Sequence, residues 1–537
     1  LEFRHVLFRS LFLAQFWEII SKRNCCYFKD LPDYAFCLMN IFSVVYYNYL
    51  LIIDAEDFFL SNHFDKKEIY DIVKMILRIS INLNWNISFI KESRAKTLFA
   101  FQSSKLLKII YEFNNQVDLL RQKDWLIDEN SQKILRDQIA RRDFSNWNYL
   151  ERLPFTLNFE IRFDILQHLL QAEKESFPNV TKMVIRRTNL FDDGFEAFTS
   201  KIDKYSLKGK LQVVFVDEFG YFEQGIDAGG LFKEFLVELS KIIFDANYGL
   251  FKITDDQTLY PNPESGHFLG PDHIPLFYFV GLVVGRAIYD NILIETQFSQ
   301  FFLRKILGKI NYLNDLQSLD KEMYNNLKFL KTFEGDVADL CLTFSIIGSD
   351  NKEVELVPGG KSLTVTNANK FKYIYLMANH KLHTEIKTQA KAFMSGLSVF
   401  LKPEWLQIFS EEELQTVISG SKRNFDIVDL KKHTQYKGYT SFDSTIRDFW
   451  KIFEEFTEQE KILLLKFVTS CSRPPLLGFS QLNPPFTIQY VDNPDGEKLP
   501  TASTCFNILK LPKYNDRKKM KEKLLLAIKS GAGFNLA

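Results

Sequence analysis

The residue whose chemistry stands out is Cys505, set in the stretch Leu499-Pro500-Thr501-Ala502-Ser503-Thr504-Cys505-Phe506-Asn507-Ile508-Leu509-Lys510-Leu511-Pro512. The two prolines argue against one continuous helix. Phe506, Ile508, Leu509 and Leu511 predict a short buried strand. Thr501 to Thr504 read as an exposed loop leading into it. Cys505 then sits at a loop-to-strand edge, fixed by the core on one side and open to solvent on the other. A nucleophilic thiol belongs in such a place. The same window fits a buried structural cysteine, since free cysteine is among the most buried residue types. Thiol reactivity depends on surroundings, so the window alone leaves both readings open.

The rest of the chain must position that sulfur. With 537 residues there is length for two or more domains with sizeable cores. Hydrophobic content of 46% and charged content of 25% fit a globular protein. The formal net charge is zero, so bulk electrostatics favour neither nucleic acid nor an anionic membrane. The six cysteines (25, 26, 37, 341, 471 and 505) lack metal-ligand spacing and are too sparse for a disulfide scaffold. They point to a reducing compartment, cytoplasmic or nuclear. Leu1-Glu2-Phe3 replaces an initiator Met and resembles a cloning scar, so the chain reads as a fragment. Tyr34 to Ile53 is twenty residues without a charge. It holds Asn40, Ser43, Asn48 and four tyrosines, with acidic edges and no adjacent basic flank, which favours a buried helix over a membrane span.

Residues 1 to about 152 read as helices. Ile69, Ile72, Val73, Ile76 and Leu77 have helical spacing within Asp65 to Leu83, and Leu106, Leu107, Ile109, Ile110 and Phe113 repeat it within Ser104 to Leu120. Either a solenoid end that binds a partner or a plain buttress fits; no repeat period is visible. Residues 153–208 read as an extension bracing the next domain, with an amphipathic helix around Phe163 to Leu170 and a strand from Val180. Leu211 to Val216 predicts another strand. The glycines at 220, 225, 229 and 230 fit neither the dinucleotide fingerprint nor the Walker loop. They allow a tight approach before a helix from Leu231 to Phe244. Pro275 to Ile294 reads as a core helix, Asp320 as the N-cap of a helix over Met323 to Leu330, and Leu340 with Leu342 as a short strand. Ser410 to Glu413 and Thr457 to Glu460 are capping boxes. Ser421 to Phe425 reads as a hinge. The cations from Lys513 to Lys523 read as a solvated helix face.

Several ordered motifs together resemble the HECT-type ubiquitin ligases. The Cys505 stretch is one. Gly225-Ile226-Asp227-Ala228-Gly229-Gly230-Leu231-Phe232-Lys233-Glu234-Phe235 and Tyr260-Pro261-Asn262-Pro263 are others. The run Leu465 to Phe479 looks most like the proteasome-associated branch. The likeness is strong from Gly209 to Ala537 and weaker over Leu153 to Lys208. It implies an α+β fold: a bilobal HECT domain with a larger, mainly helical N-lobe over 209–422, a smaller α/β C-lobe over 423–537 joined by a hinge, and an all-helical region in front. It implies that Cys505 accepts ubiquitin as a glycyl thioester, with Thr504 beside it and Phe534 anchoring the tail. It puts Leu327, Leu340, Leu342, Tyr373 and Met377 in an apolar groove for the ubiquitin-conjugating enzyme. The implied partners are ubiquitin, that enzyme, protein substrates and the proteasome. Many members carry His two residues before the cysteine; here Ser503 stands there.

The implied chemistry has two steps. The Cys505 thiolate takes ubiquitin from the conjugating enzyme's thioester, a nearly thermoneutral exchange governed by positioning and thiolate fraction. A neutral substrate lysine then attacks the new thioester, helped by a carboxylate that the sequence does not identify. The energy resides in the thioester, so neither cofactor nor metal is called for. Two competing readings stay open. A cysteine hydrolase would need a histidine aimed at Cys505, and His380, His383 and His433 sit in segments without such a signature. A non-catalytic helical scaffold with a degenerate ligase domain is the other.

Overall fold

The computed structural model describes residues 31–51, 64–85, 93–223, 230–348, 352–420, 426–469, 471–482 and 484–530. The chain forms two compact units: residues 1–171 with 407–409, and 172–406 with 410–537.

The first unit is helical. Its main elements are α1 (Asp33–Leu50), α2 (Lys66–Trp85), α3 (Arg94–Val117), α4 (Glu129–Ala140), α5 (Trp147–Arg152) and α6 (Phe159–Glu175), which runs across the unit boundary. α1 is almost uncharged because Phe36, Met39, Phe42, Tyr46 and Tyr49 point into the core. No helix among the described residues is long and apolar enough to cross a membrane. α2 opens on a reciprocal cap: the Asp65 amide donates to Glu68 and the Glu68 amide to Asp65. Its predicted apolar face is the buried one. α3 starts ten residues earlier than the expected Ser104, at Arg94, with Ser93 as its N-cap. Ser103 and Ser104 resemble a helix start, yet Ser80 Oγ donates to Ser103 Oγ at 2.7 Å and Ser104 Oγ to the Phe101 carbonyl. Both serines are satisfied inside the helix.

The second unit is α+β, as expected. It opens with β1 (Val180–Arg186), in the expected bracing extension, and β2 (Lys210–Val216), at the start of the expected larger lobe, paired parallel and in register, Val184 opposite Val214, with α7 (Leu190–Glu196) between them in sequence. α8 (Gly230–Ile243) buries Phe232, Phe235, Leu236 and Leu239. β3 (Phe251–Ile253) and β4 (Leu259–Pro261) form a hairpin before α9 (His273–Tyr289), which is nearly all buried. α10 (Lys321–Thr332), the hairpin β5 (Ser345–Ile347) and β6 (Glu353–Glu355), and α11 (Lys370–Asn379) form a subdomain. The Met323 amide donates to Asp320, the expected cap. Leu340 and Leu342 do not form the expected strand. Asp336 caps a 3₁₀ turn over Val337–Leu340, and Cys341 takes a left-handed φ of 51°, which breaks the alternation.

α9 packs closely on α12 (Lys387–Leu397). The approach requires glycine on both sides: a Cβ on Gly281 would lie 2.0 Å from the Phe393 carbonyl oxygen, and one on Gly396 would lie 2.1 Å from that of Tyr278. Gly281→Ala must therefore push two backbones apart. We expect it to cost at least about 2 kcal/mol by chemical denaturation; an unchanged midpoint would refute this packing.

α13 (Glu411–Ser419) opens with the predicted capping box, Ser410 with Glu413, and stops at Gly420, whose φ is +83°. The expected hinge, 421–425, lies outside the described residues. The smaller lobe comes next: α14 (Ile427–His433), β7 (Gln435–Lys437), α15 (Ser444–Glu455), α16 (Glu458–Thr469), β8 (Thr487–Val491), β9 (Thr501–Ser503), β10 (Ile508–Pro512) and α17 (Arg517–Ser530). Its sheet has the order β7-β8-β10-β9, with β10 parallel to β8 and antiparallel to β9. Phe449, Trp450 and Phe453 of α15, Leu464 and Val468 of α16, Ile488 of β8, Leu509 and Leu511 of β10, and Leu524 of α17 make one core. The cations of α17 are neutralised locally. Lys519 and Lys523 pair with Glu497, and Arg517 and Lys521 with Glu455. The hydrogen bonds from Lys519 and Lys523 hold the Glu497 carboxyl down at about 2.

Candidate active site

Two expectations about the Cys505 stretch are corrected. Thr501–Ser503 is a short edge strand, β9, rather than a loop, because its backbone pairs with Ile508 to Lys510. Phe506 is not on the buried strand. It stands 43% exposed in a 3₁₀ turn, Thr504–Phe506, while Leu509 and Leu511 form the buried face of β10. Cys505 is the middle residue of that turn; its side chain lies outside the described residues.

Asn507 makes the turn. It adopts a left-handed φ of 52° and is 3% exposed. Its amide donates to the Thr504 carbonyl, its side-chain Nδ2 donates to the Pro484 carbonyl at 2.6 Å, and its carbonyl accepts from the Thr487 amide at 2.9 Å. Asparagine is one of the few side-chain-bearing residues that tolerate this backbone, and its amide group can hydrogen-bond as well. The chain thus reverses tightly between β9 and β10 and locks to β8. Sequence reasoning gave Asn507 no role. An Asn just before a buried strand is the available signal.

Two helices back the turn. α16 of the smaller lobe packs against it and against β9, and α8 of the larger lobe packs against it too. The lobes are joined near it by polar contacts. Lys233 Nζ donates to the Thr469 carbonyl at 2.6 Å. Glu295 accepts from Lys466 Nζ at 3.0 Å and from the Ser472 amide at 3.3 Å. Arg473 donates to Ser419 Oγ at 2.9 Å and to the Gly420 carbonyl at 3.0 Å. All the smaller-lobe partners fall between Lys466 and Arg473, inside the predicted motif. Burial alone would raise the Glu295 carboxyl, but the hydrogen bonds from Ser472 and Lys466 and the lysine charge hold it below its usual value. Its folded value being depressed, the contact contributes fully above the ordinary carboxylate range and is lost as pH falls through that lower value. Lobe coupling should therefore be flat from about pH 6 to 8. Glu295→Gln should loosen it at neutral pH, read as a broader distance distribution between spin labels on α9 and α16.

Other thiols and imidazoles are occupied differently. Cys471 is buried, and burial pushes its thiol up, which removes it as a competing nucleophile. Cys37 and Cys341 are exposed. His433 is held by Asp429, His380 by Glu385, and His383 lies between Lys305 and the Asn311 carbonyl. Each of the three imidazoles named for a hydrolase is thus committed to a local partner.

Of the five groove residues, Leu327 is on α10, Tyr373 and Met377 are on α11, which packs on α10, Leu340 ends the 3₁₀ turn and Leu342 follows it, and they split by burial. Leu327, Tyr373 and Met377 are buried, Leu342 is half-buried and Leu340 is 37% exposed. Tyr373 is pinned edge-on to Phe344, ring centroids 5.5 Å apart. Phe329, Phe371 and Tyr375, outside the expected groove set, are exposed apolar side chains on the same helices. Phe534 lies outside the described residues, as do Gly225 and Gly229.

The HECT-domain (ubiquitin-transferase) family matches residues 237–537. A probable E3 ubiquitin protein ligase of Schizosaccharomyces pombe is 35% identical over 553 residues, covering 95% of this chain and 53% of its own. Ubiquitin-protein ligase E3B of Homo sapiens is 36% identical over 518 residues, 88% of this chain and 48% of its own. E3 ubiquitin-protein ligase HUL5 of Saccharomyces cerevisiae is 36% identical over 453 residues, 79% and 49% respectively. The chain spans about half the length of these curated relatives. A match over more than half of the chain, ending in the lobe that carries the Cys505 turn, settles the kinship: this chain belongs to the HECT-domain ubiquitin-transferase family.

Proposed function

We propose that the chain is the transferase part of a ubiquitin ligase, with Cys505 accepting ubiquitin as a thioester and passing it to substrate lysines. The observation that carries this is the Asn507-anchored turn, which presents residue 505 at a sheet edge beside α8 and α16. The first step breaks the conjugating enzyme's thioester and forms the Cys505 thioester; the enzyme's thiolate leaves. The second forms an isopeptide bond and returns the Cys505 thiolate, the lysine's proton passing to a base. Thr504, next to Cys505 in the chain, is suited to hydrogen-bond the thioester carbonyl. Phe534 is read as an apolar anchor for the tail.

Conjugating-enzyme docking on the α10–α11 subdomain belongs to the same reading. Leu340 is the exposed member of the set, so Leu340→Glu leaves the core alone. It should weaken enzyme binding about tenfold, measured by titration; unchanged affinity would move the docking face elsewhere. Association with proteasomes rests on the run Leu465 to Phe479 alone. The decisive experiment is incubation with activating enzyme, conjugating enzyme and ubiquitin, resolved on a non-reducing gel. A thiol-sensitive adduct followed by isopeptide products supports a ligase, and release of free ubiquitin alone supports a hydrolase.

A further inference from the structure

We infer that Arg187 is a positioning residue for the transfer step, acting from outside the family-matched residues. The inference rests on reading Cys505 as the acceptor. Arg187 comes directly after β1. Its guanidinium lies 3.9 Å from the Phe215 ring centroid, which holds it over β2. Nη1 donates to Glu234 Oε1 at 2.6 Å; Nη2 donates to Glu223 Oε2 at 2.9 Å, and Nε donates to the other oxygen of the same carboxylate. Glu223 and Glu234 flank the glycine-rich stretch 224–229. One cation therefore ties together the two ends of that stretch and fixes the second turn of α8.

The geometry of α8 makes this tie matter. Glu234 faces Arg187, and its neighbour Lys233 reaches the Thr469 carbonyl in the smaller lobe. Thr469 ends α16, and α8 and α16 are the two helices against the Cys505 turn. Adjacent residues of one helix thus bind the β1–β2 region on one side and the catalytic lobe on the other. A forked arginine imposes an orientation that a point-charge lysine cannot copy. The three side chains are partly exposed, so the pairing contributes direction more than stability. Neither Arg187 nor its two carboxylates lies within the matched residues 237–537.

The two steps should feel the tie unequally. In loading, the conjugating enzyme delivers the thioester and helps to set the geometry. In discharge, α8 is the element of the larger lobe against which the turn must hold the thioester for the lysine. Single-turnover loading and discharge to free lysine should be measured on the full chain for wild type, Arg187→Ala and Arg187→Lys, each with a melting curve. Arg187→Ala should slow discharge about fivefold while loading changes less than about twofold, and Arg187→Lys should fall between. Wild-type rates in a folded Arg187→Ala overturn the proposal. So do equal losses in both steps that track a lowered melting temperature. Should Arg187→Ala not fold, the same split and the same reversals are read from Arg187→Lys. Hydrogen exchange separates this from the parent reading. A wild-type chain that forms no thiol-sensitive adduct sinks the role of Cys505. Faster exchange at residues 504–507 in the Arg187 variant would still establish the tie, and unchanged exchange there overturns it.

Discussion

Cys505→Ala should lower transfer of ubiquitin to lysine by at least about a thousandfold, and Cys505→Ser should replace a thiol-sensitive adduct with one that survives reducing agent. The two substitutions answer different questions. Alanine removes the nucleophile while leaving a side chain that fits a turn already shaped by its neighbours, so conjugating-enzyme binding should persist. Serine keeps a nucleophile of higher pKa, which can trap ubiquitin as an ester but discharges it slowly. Both are read on non-reducing and reducing gels of the full chain. Alanine with undiminished transfer would exclude Cys505 as the acceptor. Persistent binding with lost transfer would also dispose of the scaffold reading, which gives the wild-type chain no transfer to lose.

The second large effect is expected at Asn507. Three hydrogen bonds converge on it, from the turn, from the Pro484 loop and from β8. Asn507→Gly keeps the left-handed backbone and loses only the side-chain bond, at a cost of about 1–2 kcal/mol. Asn507→Ala loses the bond and also strains the backbone, adding about 1 kcal/mol. Since the turn carries the reacting residue, loading should fall about thirtyfold in Asn507→Ala and less in Asn507→Gly. Melting curves give the stability order, and single-turnover loading gives the activity order. Equal loading by the two variants would mean that backbone geometry at residue 507 does not set the position of the sulfur.

The helices were legible because their signals are local. The apolar spacing of α2 and the Ser410–Glu413 box lie within one or two turns, and each appears where expected. The small strands were harder. Five residues of alternation could not distinguish Phe506 in a turn from Leu509 and Leu511 in the core, since the difference depends on which face meets α15 to α17. The start of α3 was missed because buried serines imitate a cap. At the candidate site, Cys505 was singled out from its flanks and the likeness of its stretch to a family. Asn507 needed the backbone, and Arg187 needed partners that lie 36 and 47 residues away. Single-sequence periodicity carries nothing about pairs at that separation.

The run from Lys466 to Arg473 carries a kinetic consequence. Its grips on Lys233, Glu295 and the end of α13 share one short piece of backbone. With one grip released, the others still hold the same few residues in place, so we expect the set to let go together. Departure of the smaller lobe is then an all-or-none event with a single crossing rate. Relaxation dispersion should report the same rate constant from probes beside each grip, and that rate sets a ceiling on how often one molecule can complete its cycle.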